Sequence, residues 1–231
     1  MRKKTNHYYY NAKSTLQFKI TEAYKTIRTN IVFSFTKKGC RKICITSSCP
    51  AEGKSTMAVN IAVAMAQTNV KVLLLDCDLR RPKVHRFLGI NNTPGLTNYL
   101  STMTSPENIV RETQFPNLHV ITSGSIVPNP SEVLTSVAFH DFLKAQESKY
   151  DYIIIDTTPV NVVADALPLI KQSDGTIVVV REKHSTYNEL DSALENLERI
   201  EAKIIGFIYN GGSTSSRKYS YRYRYYYSKN D

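Results

Sequence analysis

Short runs of consecutive apolar residues, many of them β-branched, recur between residues 42 and 210. Within each run the apolar residues are nearly continuous rather than alternating with polar ones, which is typical of strands covered on both faces of a parallel sheet. The predicted strands are 42–47, 71–76, 118–123, 151–156, 175–180 and 203–210.

Amphipathic patterns with helical spacing lie between these runs. The predicted helices cover about 21–36, 54–67, 137–148, 162–172 and 186–201. Strands that alternate with helices indicate an α/β fold with a doubly wound, mostly parallel sheet flanked by helices. The segment 82–116 is interrupted by prolines and glycines, so short helices and loops are expected there.

Length and composition add limits to this picture. A chain of 231 residues suits one α/β domain with tails, and no apolar run approaches the roughly 18–20 residues of a membrane-spanning helix. The basic N-terminus lacks the apolar stretch of a secretory signal, so a cytoplasmic protein is expected. The four cysteines show neither CxxC spacing nor paired histidines, and are interpreted as small buried hydrophobic residues.

The net charge of +10 indicates an acidic partner. Much of the excess lies at the two ends, where Arg2, Lys3 and Lys4 open the chain and five basic residues lie within 217–229. Tyrosines cluster at the same ends, at 8–10 and 219–227. The predicted organisation is therefore a basic, tyrosine-containing N-terminal arm (1–14), a folded domain (15–210) and a flexible tyrosine-rich tail (211–231).

The sequence "SSCPAEGKST" follows the first predicted strand and opens a helix, which is the context of a phosphate-binding loop. Backbone N–H groups and the helix N-terminus would surround the phosphates, while Lys54 reaches the β- and γ-phosphates and Ser55 binds Mg²⁺. Thr56 is then available for the α-phosphate. The usual first glycine is Ser48, so the loop is a deviant one. The candidate nucleotide-binding residues here are Ser48, Cys49, Pro50, Ala51, Glu52, Gly53, Lys54, Ser55 and Thr56.

Three carboxylates follow predicted strands. Asp76 and Asp78 end one strand and Asp156 ends another, so all three are expected at the same edge of a parallel sheet, above the phosphate loop. An aspartate at a strand end is often only a turn former. Beside Lys54 and Ser55, however, three carboxylates require a cation, which Mg²⁺ carried by a triphosphate would supply.

These motifs resemble those of the bacterial tyrosine autokinases (BY-kinases) of capsule and exopolysaccharide assembly. The resemblance rests on "SSCPAEGKST", "LLLDCDLRRP", "DYIIIDTTP" and the tyrosine tail, and covers the chain from about residue 15 onward. It implies a P-loop NTPase-like fold that uses ATP and Mg²⁺. Because partitioning and cell-division-site ATPases share these nucleotide motifs, an ATPase that switches its oligomeric state on membrane or DNA is the alternative.

The resemblance also implies roles for individual residues. Lys54 would contact the β- and γ-phosphates, Ser55 would ligate Mg²⁺, and Asp78 and Asp156 would hold the water shell of the metal. Asp76 would orient or deprotonate the attacking tyrosine hydroxyl, so Asp76 and Lys54 are the candidate catalytic residues. In related ATPases an asparagine that ends a late strand lies near the base, which makes Asn210 a candidate adenine contact.

The helix before the loop carries Glu22, Lys25 and Arg28 on one stripe. By itself this stripe is typical of a solvated face with internal ion pairs. The BY-kinases have an ExxRxxR motif here that packs subunits into a ring, and this chain matches it with Lys25 in the middle position. An oligomer contact is therefore expected, although lysine lacks the two-pronged geometry of arginine.

The tail has three interpretations. Tyrosines interleaved with basic residues could bind nucleic acid, and their alternation could instead form an edge strand. The resemblance favours a third interpretation, in which tail tyrosines of one subunit are phosphorylated by a neighbour in the ring. The expected phosphoacceptors are Tyr219, Tyr221, Tyr223, Tyr225, Tyr226 and Tyr227.

The expected function is an ATP-dependent protein-tyrosine autokinase that regulates capsular or exopolysaccharide polymerisation and export. The resemblance implies a membrane-embedded polysaccharide co-polymerase whose cytoplasmic end activates the kinase at the inner face of the membrane. It also implies a cognate tyrosine phosphatase and a ring of unphosphorylated subunits. A nucleic-acid partner is not expected.

Overall fold

The computed structural model describes residues 15–36, 39–102 and 105–212. The predicted N-terminal arm and residues 213–231 of the predicted tail, with all six candidate phosphoacceptors, lie outside the described residues. Within the described part, no helix is both long and apolar enough to cross a membrane.

In the described part of the chain, seven strands form one sheet in the order β3-β4-β2-β5-β1-β6-β7. All neighbours are parallel except β3 and β4, which are antiparallel. The six predicted strands are confirmed, and β3 is an additional short edge strand within the segment expected to be short helices and loops. The strands are β1 (Arg41–Ser47), β2 (Val72–Asp76), β3 (Arg111–Glu112), β4 (Leu118–Ile121), β5 (Tyr152–Asp156), β6 (Gly175–Arg181) and β7 (Ile204–Asn210).

The five predicted helices are present, with three further short α-helices and a 3₁₀ turn at Pro106–Asn108. The first helix begins at Thr15, so the expected start near residue 21 is wrong, because the helical pattern continues through 15–20 without a capping turn. The α-helices are α1 (Thr15–Phe33), α2 (Lys54–Ala66), α3 (Val84–Leu88), α4 (Leu96–Thr102), α5 (Pro130–Thr135), α6 (Val137–Gln146), α7 (Ala166–Lys171) and α8 (Tyr187–Arg199).

Helices cover both faces of the sheet, which explains why its strands read as continuous apolar runs. One hydrophobic cluster includes residues of α6, α7 and α8, and the other includes residues of α1 and α2. Cys44 and Cys77 are buried in the first cluster, as predicted, whereas Cys40 and Cys49 are partly exposed.

Parallel strands bring their carboxyl ends to one edge of the sheet. β1 ends there and leads into the phosphate loop, β2 and β5 end in Asp76 and Asp156, and β7 ends at Asn210. The fold therefore gathers the three nucleotide motifs and the root of the tail at the same edge.

Candidate active site

The phosphate loop connects β1 to α2 and contains two left-handed residues, Ala51 (φ 65°) and Gly53 (φ 98°). Gly53 is required for a second reason: a Cβ atom there would lie 2.4 Å from Nδ2 of Asn210. A side chain at position 53 would therefore push the Asn210 amide away from the carbonyl oxygen of Glu52 and strain the turn into α2.

The buried side chain of Glu52 stabilises the phosphate loop through hydrogen bonds. Its side chain is fully buried, and Oε2 accepts a hydrogen bond of 2.8 Å from the backbone N–H of Cys49. The hydroxyl of Ser185 donates to Oε1. From its place in the sequence Glu52 is predicted only as a nucleotide-binding loop residue, and this structural role has no sequence signal.

Three side chains from the ends of β6 and β7 hold the loop from outside. Arg181 Nη1 donates to the carbonyl oxygen of Ala51 (2.7 Å), and His184 Nε2 donates to that of Pro50 (2.9 Å). Asn210 Nδ2 donates to the carbonyl oxygen of Glu52 at 2.9 Å. These bonds engage carbonyl oxygens that would repel a phosphate.

Asn210 therefore lies against the phosphate loop, with its amide nitrogen bound to the loop backbone. Its role as an adenine contact stays a prediction.

Three aspartates and one lysine form the centre of the site. Asp76 and Asp156 are paired in register at the ends of β2 and β5, and Asp78 follows two residues later. Lys54 Nζ lies 2.7 Å from Asp78 Oδ2, and both side chains are buried. The structure thus brings together the four charged residues that the sequence predicts, with the Lys54 ammonium as the cation facing Asp78.

The two carboxylates after β2 also shape their own turn. Asp76 accepts backbone N–H groups from Asp78 and Val84, both at 3.2 Å. Asp78 Oδ1 accepts the N–H of Arg81 at 3.0 Å. These aspartates therefore also act as turn formers, as the alternative interpretation predicted. The turn orients their carboxylates in the site.

Among the described residues, no backbone N–H group donates to Asp156. Both of its oxygens are buried, and neither has a hydrogen-bond partner in the described part of the chain. Burial raises its pKa to about 6, although the charge of Lys54 and the nearby hydroxyl of Ser55 oppose this rise. Burial also raises the pKa of Asp76 well above its ordinary value, and the charges of Asp156 and Asp78 raise it further.

The two oxygens of Asp156, which have no hydrogen-bond partner among the described residues, indicate whether the site suits Mg²⁺. A hard cation prefers carboxylate and hydroxyl oxygens, and Ser55 with Asp78 and Asp156 supplies such a set. Among the described residues no three His, Cys, Asp or Glu side chains form a ready metal cluster. The residues present fit an ion that obtains its other ligands from phosphate oxygens and water.

A second buried carboxylate network lies beside the centre and was missed by the sequence analysis. Arg80, directly after the "DCD" turn, contacts Asp165 through Nε (2.6 Å) and Nη2 (3.2 Å). The hydroxyl of Ser131 donates to the same carboxylate. The pKa of Asp165 is lowered because these donors outweigh the effect of burial. No local sequence signal marks it, because Asp165 falls within the predicted helix 162–172, whereas α7 begins at Ala166.

The stripe on α1 makes contacts within its own subunit. Lys25 Nζ lies 2.7 Å from Glu22 Oε1, and Arg28 Nη1 donates to the carbonyl oxygen of Ala64 on α2 at 3.0 Å. The ion pair fits the solvated-face interpretation, while Arg28 fixes α1 to the helix that opens at the phosphate loop. An oligomer contact through this stripe stays a prediction.

Comparison with known proteins identifies the family. A family model described as an AAA domain matches residues 40–207. The tyrosine-protein kinase YwqD of Bacillus subtilis is 41% identical over 211 residues, which cover 91% of this chain and 88% of that protein. The chain belongs to the BY-kinase family. It is a protein-tyrosine kinase.

A solved tyrosine kinase domain agrees with this assignment: the kinase domain of the Escherichia coli tyrosine kinase ETK is 29% identical with a TM-score of 0.78 over 84% of this chain and 78% of that one. The chimerical protein CapA2B2 is 36% identical with a TM-score of 0.79, and the match covers 85% of each chain. The septum site-determining protein MinD of Pyrococcus horikoshii, complexed with Mg-ADP, is 24% identical with a TM-score of 0.62 over 76% of this chain and 72% of that one. The likeness to MinD shows the P-loop NTPase-like fold alone.

Proposed function

We propose that this kinase uses Mg-ATP to phosphorylate its own tail, at Tyr219, Tyr221, Tyr223, Tyr225, Tyr226 and Tyr227. The observation that carries the proposal is the position of the tail root. Asn210, the last residue of β7, donates to the carbonyl oxygen of Glu52 at 2.9 Å, so the tail starts beside the phosphate loop. Tyr223 follows 13 residues later, a span of at most roughly 45 Å.

The domain from 15 to 210 binds ATP through the phosphate loop. Lys54 contacts the β- and γ-phosphates, and Thr56 contacts the α-phosphate. Ser55, Asp78 and Asp156 would hold Mg²⁺, which neutralises charge on the phosphates when bound. Binding of nucleotide separates Lys54 from Asp78, because the lysine exchanges its carboxylate partner for phosphate oxygens.

Asp76 orients the hydroxyl group of the acceptor tyrosine. The phenolic oxygen attacks the γ-phosphorus, the bond from that phosphorus to the β–γ bridging oxygen breaks, and ADP leaves with the electron pair. The phenolic proton passes to Asp76, whose raised pKa favours its acceptance. The two backbone N–H groups that bind Asp76 fix the carboxylate in place during this transfer.

Transfer occurs in trans within a ring of unphosphorylated subunits, since a ring raises the local concentration of a neighbour's tail. The α1 stripe provides the contact. Replacing Glu22, Lys25 and Arg28 together by alanine should convert the assembly to monomers, as measured by light scattering. Because Arg28 also binds Ala64 within the subunit, the Glu22→Ala/Lys25→Ala variant serves as the milder test, and an unchanged mass in both would refute the contact.

The biological role follows from the family. The kinase regulates capsular or exopolysaccharide polymerisation and export, peripheral to the inner face of the membrane. Its partners are a membrane-embedded co-polymerase that activates it and a phosphatase that resets the tail. Co-purification with the co-polymerase, and loss of tail phosphorylation without it, test this role.

The deciding experiment is incubation of the full chain with labelled ATP and Mg²⁺, followed by alkali treatment. Alkali-stable phosphotyrosine on the tail supports the autokinase, and a variant with the six tail tyrosines replaced by phenylalanine should lose it. Release of free phosphate without protein labelling would favour the partitioning-type ATPase. The higher structural likeness to the ETK kinase domain (TM-score 0.78) than to MinD (0.62) supports the kinase.

A further inference from the structure

A strongly basic surface lies next to the carboxylate centre and has no part in the roles assigned so far. It consists of Arg80, Arg81, Lys83 and Arg86, which we call the basic patch. All four are exposed, and they lie within seven residues that follow the "DCD" turn. The patch therefore places four exposed cationic side chains directly after the turn that carries Asp76 and Asp78.

The basic patch is fixed to the catalytic turn through the backbone. The N–H of Arg81 donates to Asp78, and the N–H of Val84, between Lys83 and Arg86, donates to Asp76. Arg80 is held by the buried carboxylate of Asp165. The patch thus has a defined position relative to the centre of the site.

Most of the positive charge of the basic patch is not neutralised by ion pairs within the described residues. In the ranges 15–36, 39–102 and 105–212, the structure gives Arg81, Lys83 and Arg86 no ion-pair partner, whereas Arg80 has one. The charge of Lys83 also acts on the carboxylate of Asp156. Three exposed cations without an ion-pair partner among the described residues attract an anionic group, and the planar fork of arginine suits a phosphate.

The unmodified tail does not suit this surface. Residues 217–231 carry five basic side chains and one acidic one, so the basic patch repels them. Phosphorylation reverses the sign, since each phosphotyrosine adds about −1.5 to −2 charges at neutral pH. The same phosphates are repelled by the three carboxylates of the centre.

We propose that the basic patch is a docking site for phosphotyrosines of the modified tail, which it binds once they have left the carboxylate centre. This inference rests on the proposed tail phosphorylation. The tail root at the end of β7 lies four strands from β2, a separation of about 20 Å, which is within reach of Tyr223. A tail can therefore dock on its own subunit, and docking there withdraws it from the neighbour's site.

The test uses peptides and no ATP, so it is independent of kinase activity. A labelled synthetic peptide of residues 217–231 with phosphotyrosine at 223, 225 and 227 is titrated with the unphosphorylated full chain, beside the same peptide without phosphate. The phosphopeptide should bind on the order of tenfold more tightly or better, and its affinity should fall with salt.

Substitutions then locate the site. Arg81→Gln/Lys83→Gln/Arg86→Gln should abolish the preference for phosphate, while Arg81→Lys/Arg86→Lys, which keeps the charge, should retain most of it. A matched control, Lys71→Gln/Lys144→Gln/Lys149→Gln, removes three exposed positive charges near the opposite edge of the sheet and should leave the preference unchanged. Thermal melting checks that each variant is folded.

Equal binding of the two peptides, or equal losses in the patch and control variants, would overturn the proposal. So would patch-dependent binding of phosphatidylserine vesicles without binding of the phosphopeptide, which would make the surface a membrane contact. A failure of the proposed function is distinguishable, because it would show as absent tail phosphotyrosine with ATP, whatever the peptides do.

Discussion

Aspartates lie at both ends of the strands. Their burial and hydrogen bonding differ between the edge of the sheet where strands begin and the edge where strands end. At the edge where strands begin, Asp151 accepts the backbone N–H of Lys71 and Asp174 accepts that of Lys42, both at 2.8 Å. Asp151 is exposed and Asp174 is partly exposed. At the edge where strands end, Asp76 and Asp156 are fully buried beside Asp78.

The difference lies in how each carboxylate is compensated. At the starting edge one backbone donor and solvent suffice, so these aspartates stabilise the fold locally. At the ending edge three carboxylates share one ammonium, and Asp156 accepts no hydrogen bond among the described residues. Such an arrangement opposes stability and marks a site that awaits further positive charge.

The largest expected effect follows from removing that ammonium. Lys54→Met should reduce tail phosphorylation by about a thousandfold or more, because it removes the cation at the transferring phosphate. Burial alone would lower the pKa of Lys54, but Asp156 and Asp78 raise it, so the lysine is charged at neutral pH. The measurement is phosphotyrosine formed per minute under saturating Mg-ATP.

The matched control is Lys42→Met at the starting edge. Lys42 also pairs with a carboxylate, that of Glu147, but far from the phosphate loop. It should leave phosphorylation within about twofold. Comparable losses in the two variants would mean that the edges do not differ in function.

The next effect separates two carboxylates of the ending edge. Asp76→Asn should lower transfer to tyrosine by about a hundredfold or more while Mg-ATP still binds, because general-base assistance is lost. Asp78→Asn should weaken Mg-ATP binding as well, because the loss of a metal-side charge should outweigh the release of Lys54 from its carboxylate partner. Nucleotide affinity by calorimetry and rates with a tail peptide distinguish the two, and identical losses would contradict the division of roles.

Much of the ending edge could be predicted from sequence. Continuous apolar runs fix parallel strands, and the topology of parallel strands brings Lys54, Asp76, Asp78 and Asp156 together without knowledge of any side-chain contact. The strand positions are confirmed, and the structure brings these four side chains to one edge, while their roles in metal binding and catalysis stay predictions. The same reasoning predicted that β7 brings the root of the tail to this edge, whereas the contact of Asn210 with the phosphate loop was not predicted.

The hydrogen bonds and the ion pair that stabilise the loops around the site could not be predicted in this way. Glu52 with Ser185, and Arg80 with Asp165, are contacts between residues 133 and 85 positions apart. Neither pair has a local signal, because a buried hydrogen bond between loops depends on packing that periodicity does not encode. The early start of α1 escaped for a different reason: Thr21 has the residue type of a helix cap but lies within the helix.

A third effect concerns stability. Asp156→Asn should weaken Mg-ATP binding yet raise the unfolding free energy at pH 8 by about 1 to 3 kcal/mol, since it removes a buried charge. The folded pKa of about 6 exceeds the ordinary 3.8, so the penalty is absent well below pH 4, grows as pH rises through this interval and is complete above about 6.

Urea unfolding of both proteins at pH 5 and pH 8 measures this difference. The stability gain from Asp156→Asn should be larger at pH 8 than at pH 5. A variant that is less stable than the parent at pH 8, or a gain that does not depend on pH, would show that Asp156 is compensated in the folded chain.

The smallest effect is expected from the same substitution at the starting edge. Asp174→Asn weakens one hydrogen bond to the N–H of Lys42 but leaves an oxygen able to accept it, so the unfolding free energy should fall by about 0.5 to 1.5 kcal/mol. Tail phosphorylation should stay unchanged, because Asp174 precedes β6 at the end far from Lys54. The two Asp→Asn changes thus have opposite signs for stability, measurable by urea unfolding at pH 8. If Asp174→Asn were instead to stabilise the chain and impair the kinase, burial and compensation would not be what separates a structural aspartate from a functional one in this sheet.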